Sequence, residues 1–152
     1  MSSIFIIDTN VVVAGLLTQH ADSPVGQILD SMLRAGFRFA LSEALLAEYR
    51  RVLLRPKLMK LHQLAETEVD TVLTDITRHA IVLRPPLQPS LPSSPAQRAA
   101  PDPGDQFLWD LLSSREDLVL VTGDKLLLQA EPFAQRVLSP AAFAATNISG
   151  SE

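Results

Sequence analysis

Apolar and polar positions fall into blocks along this chain, and the period of each block names an element. Ile4-Phe5-Ile6-Ile7 is an unbroken apolar run with no helical period and much β-branching. It predicts a strand buried on both faces. The run stops at Asp8. Val11 to Leu17 predicts a short helix or turn at the strand's end. Ser23-Pro24 then reads as a helix start, Ser23 capping and Pro24 in the first turn. Val25, Ile28, Leu29, Met32 and Leu33 follow at helical spacing, and Gly36 ends them. Phe37 to Leu41 predicts a second strand. Ser42 caps the next helix, with Glu43 in its first turn and Leu45, Leu46, Tyr49, Val52 and Leu53 on its apolar side. Pro56 ends or kinks it.

Leu58 to Thr77 reads as one further helix with Leu61, Leu64, Val69, Val72, Leu73 and Ile76 facing inward. Ala80 to Leu83 is a third strand. The pattern then lapses: residues 84–103 are rich in proline, serine and alanine and hold most of the 11 prolines. Structureless stretches beyond about 12–15 residues are uncommon inside a domain, so this one is expected to be a mobile insertion. Phe107, Leu108, Leu111 and Leu112 mark a helix with an acidic entry, and Trp109 within that run is expected in the core. Leu118 to Val121 is a fourth buried strand, followed by a short helix over Leu126 to Ala130. Arg136 to Leu138 predicts a last edge strand, and Ser139-Pro140 opens a closing helix. Strands alternating with helices imply an α/β fold, a three-layer α/β/α sandwich around a central parallel sheet. Residues 1–146 are read as a single domain and 147–152 as a flexible tail.

Composition narrows the chemistry. A chain of 152 residues with 47% hydrophobic content suffices for one ordinary core. With no cysteine, disulfides, zinc–cysteine sites and thiol nucleophiles are excluded, and a reducing cytoplasm is the expected compartment. No apolar run approaches the roughly 18 residues of a membrane span, and no signal peptide is evident. The net charge of −4 argues against a nucleic-acid partner unless the acids gather around a cation.

In a parallel sheet, ligands bind beyond the carboxyl ends of the strands. Asp8 and Asp124 each stand at such an end, Asp105 at a helix entry, and Glu48 in the helix after the second strand. Taken singly, each has an ordinary reading: a turn former, a strand-end turn, a helix cap, a solvated helix acid. Together, four carboxylates from four segments would repel one another unless a divalent cation joined them. Oxygen-only donors favour Mg²⁺ or Mn²⁺ over zinc. His20, His62 and His79 show no ligand spacing.

Four ordered stretches carry a resemblance. Ile7-Asp8-Thr9-Asn10-Val11, Ser42-Glu43 through Glu48-Tyr49, Asp102-Pro103-Gly104-Asp105 and Val121-Thr122-Gly123-Asp124-Lys125 resemble the PIN-domain family, nearest to toxin components of bacterial type II toxin–antitoxin systems; Ser139-Pro140 matches a further step near the C-terminus. The resemblance implies a PIN-like fold and a metal-dependent endoribonuclease hydrolysing single-stranded RNA. Asp8, Glu48, Asp105 and Asp124 would hold one or two Mg²⁺ or Mn²⁺ ions, with Asn10 and Thr122 supporting them. It also implies a homodimer and a cognate antitoxin. The 84–103 insertion looks longer than the family usually has there. Arg50, Arg51, Arg55 and Lys57, with Lys60, form a basic cluster beginning just after Glu48 and are candidates for RNA phosphates. Other strand-end-aspartate folds fit less well. A receiver domain needs an aspartate after its third strand, where Arg84-Pro85 stands, and a haloacid-dehalogenase-like site needs Asp at position 10. The remaining alternative is a non-catalytic PIN-like scaffold that binds RNA or an antitoxin.

Overall fold

The computed structural model describes residues 3–84, 100–131 and 133–148. Strand β1 (Ile4–Ile7) is buried at all four positions, as its unbroken apolar run requires. Strand β4 (Leu118–Val121) lies parallel beside it, Ile4 opposite Leu118 and Ile7 opposite Val121. Strand β5 (Val137–Leu138) pairs in parallel with β4 at the outer edge. On the other flank, β2 (Ala40–Leu41) and β3 (Ile81–Val82) form a parallel pair. A bridge between Phe5 and Phe39, with Phe5 N–H donating to the Arg38 carbonyl at 3.0 Å, joins that pair to β1. The strand order is therefore 3-2-1-4-5. The connections β1–β2 and β2–β3 step one way across the sheet, and those into β4 and β5 step the other. Right-handed crossovers running in opposite directions place their helices on opposite faces, which gives the expected α/β/α sandwich.

Helix α1 (Thr9–Leu17) follows β1 directly, and α2 (Pro24–Leu33) packs against it. Gly15 permits the close contact: a Cβ there would meet the Val25 carbonyl oxygen at 2.6 Å. Helix α3 (Glu43–Leu53) follows β2, and α4 (Pro56–His62) and α5 (Glu66–His79) precede β3. A 3₁₀ turn, Pro103–Asp105, leads into α6 (Gln106–Ser113). Helix α7 (Lys125–Leu128) and helix α8 (Pro140–Asn147) complete the chain. The serine caps act as predicted: Ser23, Ser42 and Ser139 accept from the N–H groups of Gly26, Leu45 and Ala142 at 3.1–3.2 Å.

The core joins both layers. Phe143 of α8 meets Phe5 and Phe37 edge-on, with ring centroids 4.6 and 4.8 Å away. Trp109 is fully buried against Phe133, as expected for core packing. Half-buried Arg136 ties α6 to β4, its guanidinium donating to the carbonyls of Leu112, Arg115 and Leu118.

Several expectations need correcting. The single helix over Leu58 to Thr77 is two helices, because Gln63 adopts a left-handed conformation (φ 59°) and ends α4. His62 fixes the break: its Nδ1 accepts from Leu64 N–H at 3.0 Å, leaving Nε2 to donate to the Leu53 carbonyl at 2.9 Å. Pro56 starts α4 at its first turn, where no N–H is needed, rather than merely ending α3. Leu61 faces solvent, 61% exposed, not inward. Helix α2 does not stop on a left-handed glycine: Ala35 takes the positive φ (58°), and Gly36 N–H closes the turn onto the Ser31 carbonyl at 2.8 Å. The second strand is shorter than Phe37 to Leu41, with Phe39 contributing only the bridge. Residues 85–99 of the expected 84–103 insertion, and 149–152 of the expected tail, lie outside the described residues.

Candidate active site

The strand order reverses at β1, and a crevice opens beyond the carboxyl ends of β1 and β4. Asp8 directly follows β1 and Thr122 directly follows β4, brought side by side because Asp8 N–H donates to the Val121 carbonyl at 2.9 Å. Asp8 is 6% exposed. Its Oδ1 accepts from Thr9 N–H at 2.7 Å, and its Oδ2 accepts from the Thr122 hydroxyl at 2.7 Å and the Asn10 amide at 3.3 Å. Thr122, wholly buried, uses both sides of its hydroxyl, accepting from Asp124 N–H at 3.0 Å. Asn10 Oδ1 accepts from Gly123 N–H at 3.3 Å and so ties the two strand ends together. Asn10 and Thr122 thus both touch Asp8, and Thr122 also anchors the backbone of Asp124.

Glu48 reaches the same place from α3. Its neighbour Tyr49 is fully buried and donates its hydroxyl to the carbonyl of Ile7. That bond fixes α3 against the end of β1 and turns Glu48 toward Asp8. Asp105 arrives from the other layer, at the turn that opens α6. All four acids line one cleft of about 410 Å³, which apolar residues such as Val13 and Leu17 also line. A larger hollow of about 750 Å³ lies between α3 and α5, but Arg50 ion-pairs with Asp70 there, and none of the four acids reaches it.

The cleft is electrostatically crowded. Burial pushes the Asp8 carboxyl up, opposed by the Thr122 and Thr9 hydrogen bonds and reinforced by Asp124 and Glu48. Asp105 is pushed up to about 6, first by burial and then by Asp8, Asp102, Asp124 and Glu48. Asp124 caps α7 through Leu126 N–H at 2.9 Å. Glu48 is gripped by Arg51, at 2.8 Å from Nη2 to each carboxylate oxygen.

Whether these residues suit a divalent cation can be judged on donor type and on spacing. The donors are carboxylates without nitrogen or sulfur, and the crowding raises the proton affinity of Asp8 and Asp105, which suits a hard cation. Among the described residues, the Thr9 hydroxyl, buried in the cleft wall, also has no hydrogen-bond partner. Among the described residues, no three Asp, Glu, His or Cys side chains stand close enough together to grip an ion as they are. The donor set fits in kind, and the cage is not preformed.

Of the basic cluster, Arg55 lines the cleft and Arg51 holds Glu48. Arg50 turns away to Asp70 and Glu66, at 2.8 and 2.6 Å. Lys57 and Lys60 are exposed on α4. The roles of Tyr49 and Thr9 were missed in the sequence: Tyr49 looks like any apolar-face residue, and Thr9 is signalled only by the Asp-Thr-Asn triplet. Among the described residues, no helix is long and apolar enough to cross a membrane.

A protein-family model described as PIN domain matches residues 5–126. No curated protein and no solved structure gives a significant match.

Proposed function

The chain belongs to the PIN-domain family, a nuclease-type family, and from that premise we propose that it is a Mg²⁺- or Mn²⁺-dependent endoribonuclease acting on single-stranded RNA. The observation that carries this reading is the convergence of Asp8, Glu48, Asp105 and Asp124, from four separate segments, on one cleft at the sheet's switch point. Those four carboxylates would hold the ion. When bound, it would supply a water of lowered pKa and stabilise charge developing on the phosphate. The protein's own part is positioning. Thr122, Thr9 and Asn10 fix the Asp8 carboxylate, and the hydrogen bonds from Thr122 and Thr9 favour its ionised form. Tyr49 holds the Glu48 helix in place. Arg55, at the rim, meets the RNA backbone, with Arg51 beside it and Lys57 further out. The likeness to toxin components extends the proposal to a cognate antitoxin, a homodimer and a cytoplasmic setting.

The test is incubation of the purified protein with labelled single-stranded RNA and Mn²⁺, Mg²⁺ or chelator, beside an Asp8→Asn variant. The reading expects cutting that needs metal and disappears in the variant. Cutting that survives the variant points to a contaminating ribonuclease. A second reading, a non-catalytic scaffold for RNA or an antitoxin, is favoured by the hold of Arg51 on Glu48 and the loose spacing of the acids. It would be established by RNA binding without metal-dependent turnover.

A further inference from the structure

Glu48 differs from the other cleft acids in what holds it. Asp8 is held by neutral donors and Asp124 by a backbone N–H. Glu48 is instead clamped by a cation. Arg51 Nη2 donates to both of its oxygens at 2.8 Å, and Nε adds a third bond to Oε1 at 3.1 Å. The pair lies one turn apart on α3, with Glu48, 26% exposed, lining the cleft and Arg51 59% exposed. Its neighbour in sequence, Arg50, carries the same charge but spends it on Asp70 and Glu66, outside the cleft. Ligation by Glu48 needs at least one of the oxygens that Arg51 occupies.

We propose that Arg51 is a positioning residue that acts as an internal counter-cation, holding Glu48 until a divalent cation displaces it. This rests on the metal-dependent reading above. The physics is an exchange of partners. Without metal, the guanidinium offsets the repulsion among four carboxylates in one cleft. With metal, Glu48 turns to the ion and Arg51 is released at the rim, where a phosphate suits its planar fork. Metal affinity is thereby held below what four unencumbered carboxylates would give.

The experiment is Mn²⁺ binding to the full chain by titration calorimetry at fixed ionic strength, without RNA. Exposed pairs of this kind are worth up to about 1 kcal/mol. Arg51→Gln should therefore tighten Mn²⁺ binding roughly two- to fivefold. Arg51→Lys, which keeps the charge but loses the fork, should fall between that variant and wild type. Arg50→Gln should leave affinity unchanged. In a Glu48→Gln background, Arg51→Gln should have no effect, since its lever is gone. Equal tightening in that background would show a general field effect and overturn the proposal. Mn²⁺ binding unaltered by Arg51→Gln overturns the proposal alone. Failure of both wild type and Arg51→Gln to bind Mn²⁺ overturns it together with the metal-dependent reading.

Discussion

The crowding of the cleft has a thermodynamic consequence that can be measured without RNA or metal. Asp105 is pushed up from 3.8 to about 6, so folding disfavours its ionised form. The penalty fades as the pH falls below about 4, where the carboxyl becomes protonated in the unfolded as well as the folded chain. It grows between about pH 4 and 6 and is fully present above that. Each tenfold in proton affinity is about 1.4 kcal/mol, which sets a ceiling of about 3 kcal/mol. Asp105 is only partly buried, and solvent screening takes much of that away. Its charge also sits favourably at the amino end of α6, worth about 0.5 kcal/mol in the opposite sense. Asp105→Asn, which removes no hydrogen bond of the carboxylate among the described residues, should therefore stabilise the chelated protein at pH 7.5 by ~1 kcal/mol. For a chain of this size that is a rise in Tm of roughly 2–4 °C. Thermal unfolding in chelator at pH 7.5 and at pH 4 is the assay, and most of the gain should be lost at the lower pH. Saturating Mn²⁺ should narrow or invert the difference, because wild type keeps the extra ligand. A variant no more stable than wild type at pH 7.5, or a gain undiminished at pH 4, would refute the electrostatic account of the cleft.

Three further outcomes follow from individual contacts. Tyr49→Phe removes the donor to the Ile7 carbonyl and should cost about 1–3 kcal/mol, read as a lower urea midpoint at unchanged m; a neutral result would mean that the bond does not anchor α3. Ala35→Gly relieves the left-handed residue after α2 and should raise stability by roughly 0.5–1 kcal/mol in the same assay, whereas a loss would show that Ala35 is not strained. Arg55→Ala should weaken single-stranded RNA binding and lower the slope of log affinity against log salt by about 0.7, the share of one phosphate contact. An unchanged slope would place Arg55 outside the RNA path.

The sheet was legible because its strands are purely apolar. Ile4 to Ile7 and Leu118 to Val121 have no competing period, and each stops at a polar residue that then falls at the crevice. The serine–proline starts were legible because capping is local chemistry: Ser23-Pro24 and Ser139-Pro140 need nothing from the rest of the fold. Reading one helix across 58–77 failed because its break is not written in Gly or Pro. Gln63 takes the left-handed turn, and His62 ties the chain back to the Leu53 carbonyl, a contact nine residues away that no periodicity reveals. Leu61 was misassigned for the same reason, since a continuous helix would have turned it inward.

The site follows the same division. Placing acids at strand ends needs only the strand boundaries, which is why Asp8 and Asp124 could be paired although 115 residues separate them. What those boundaries cannot show is which way a long side chain turns. Arg50 and Arg51 are adjacent and identical in the sequence, yet they sit about 100° apart around α3. One is drawn to Asp70 and Glu66 across the helix pair, and the other folds back on Glu48. That choice is made by Tyr49. Its buried hydroxyl on the Ile7 carbonyl sets the rotation of α3, so Glu48 faces the cleft and Arg50 faces α5. The rotation of one helix thus decides which arginine is available to the acids: Arg50 is spent on the contact between α3 and α5, and Arg51 is left to Glu48.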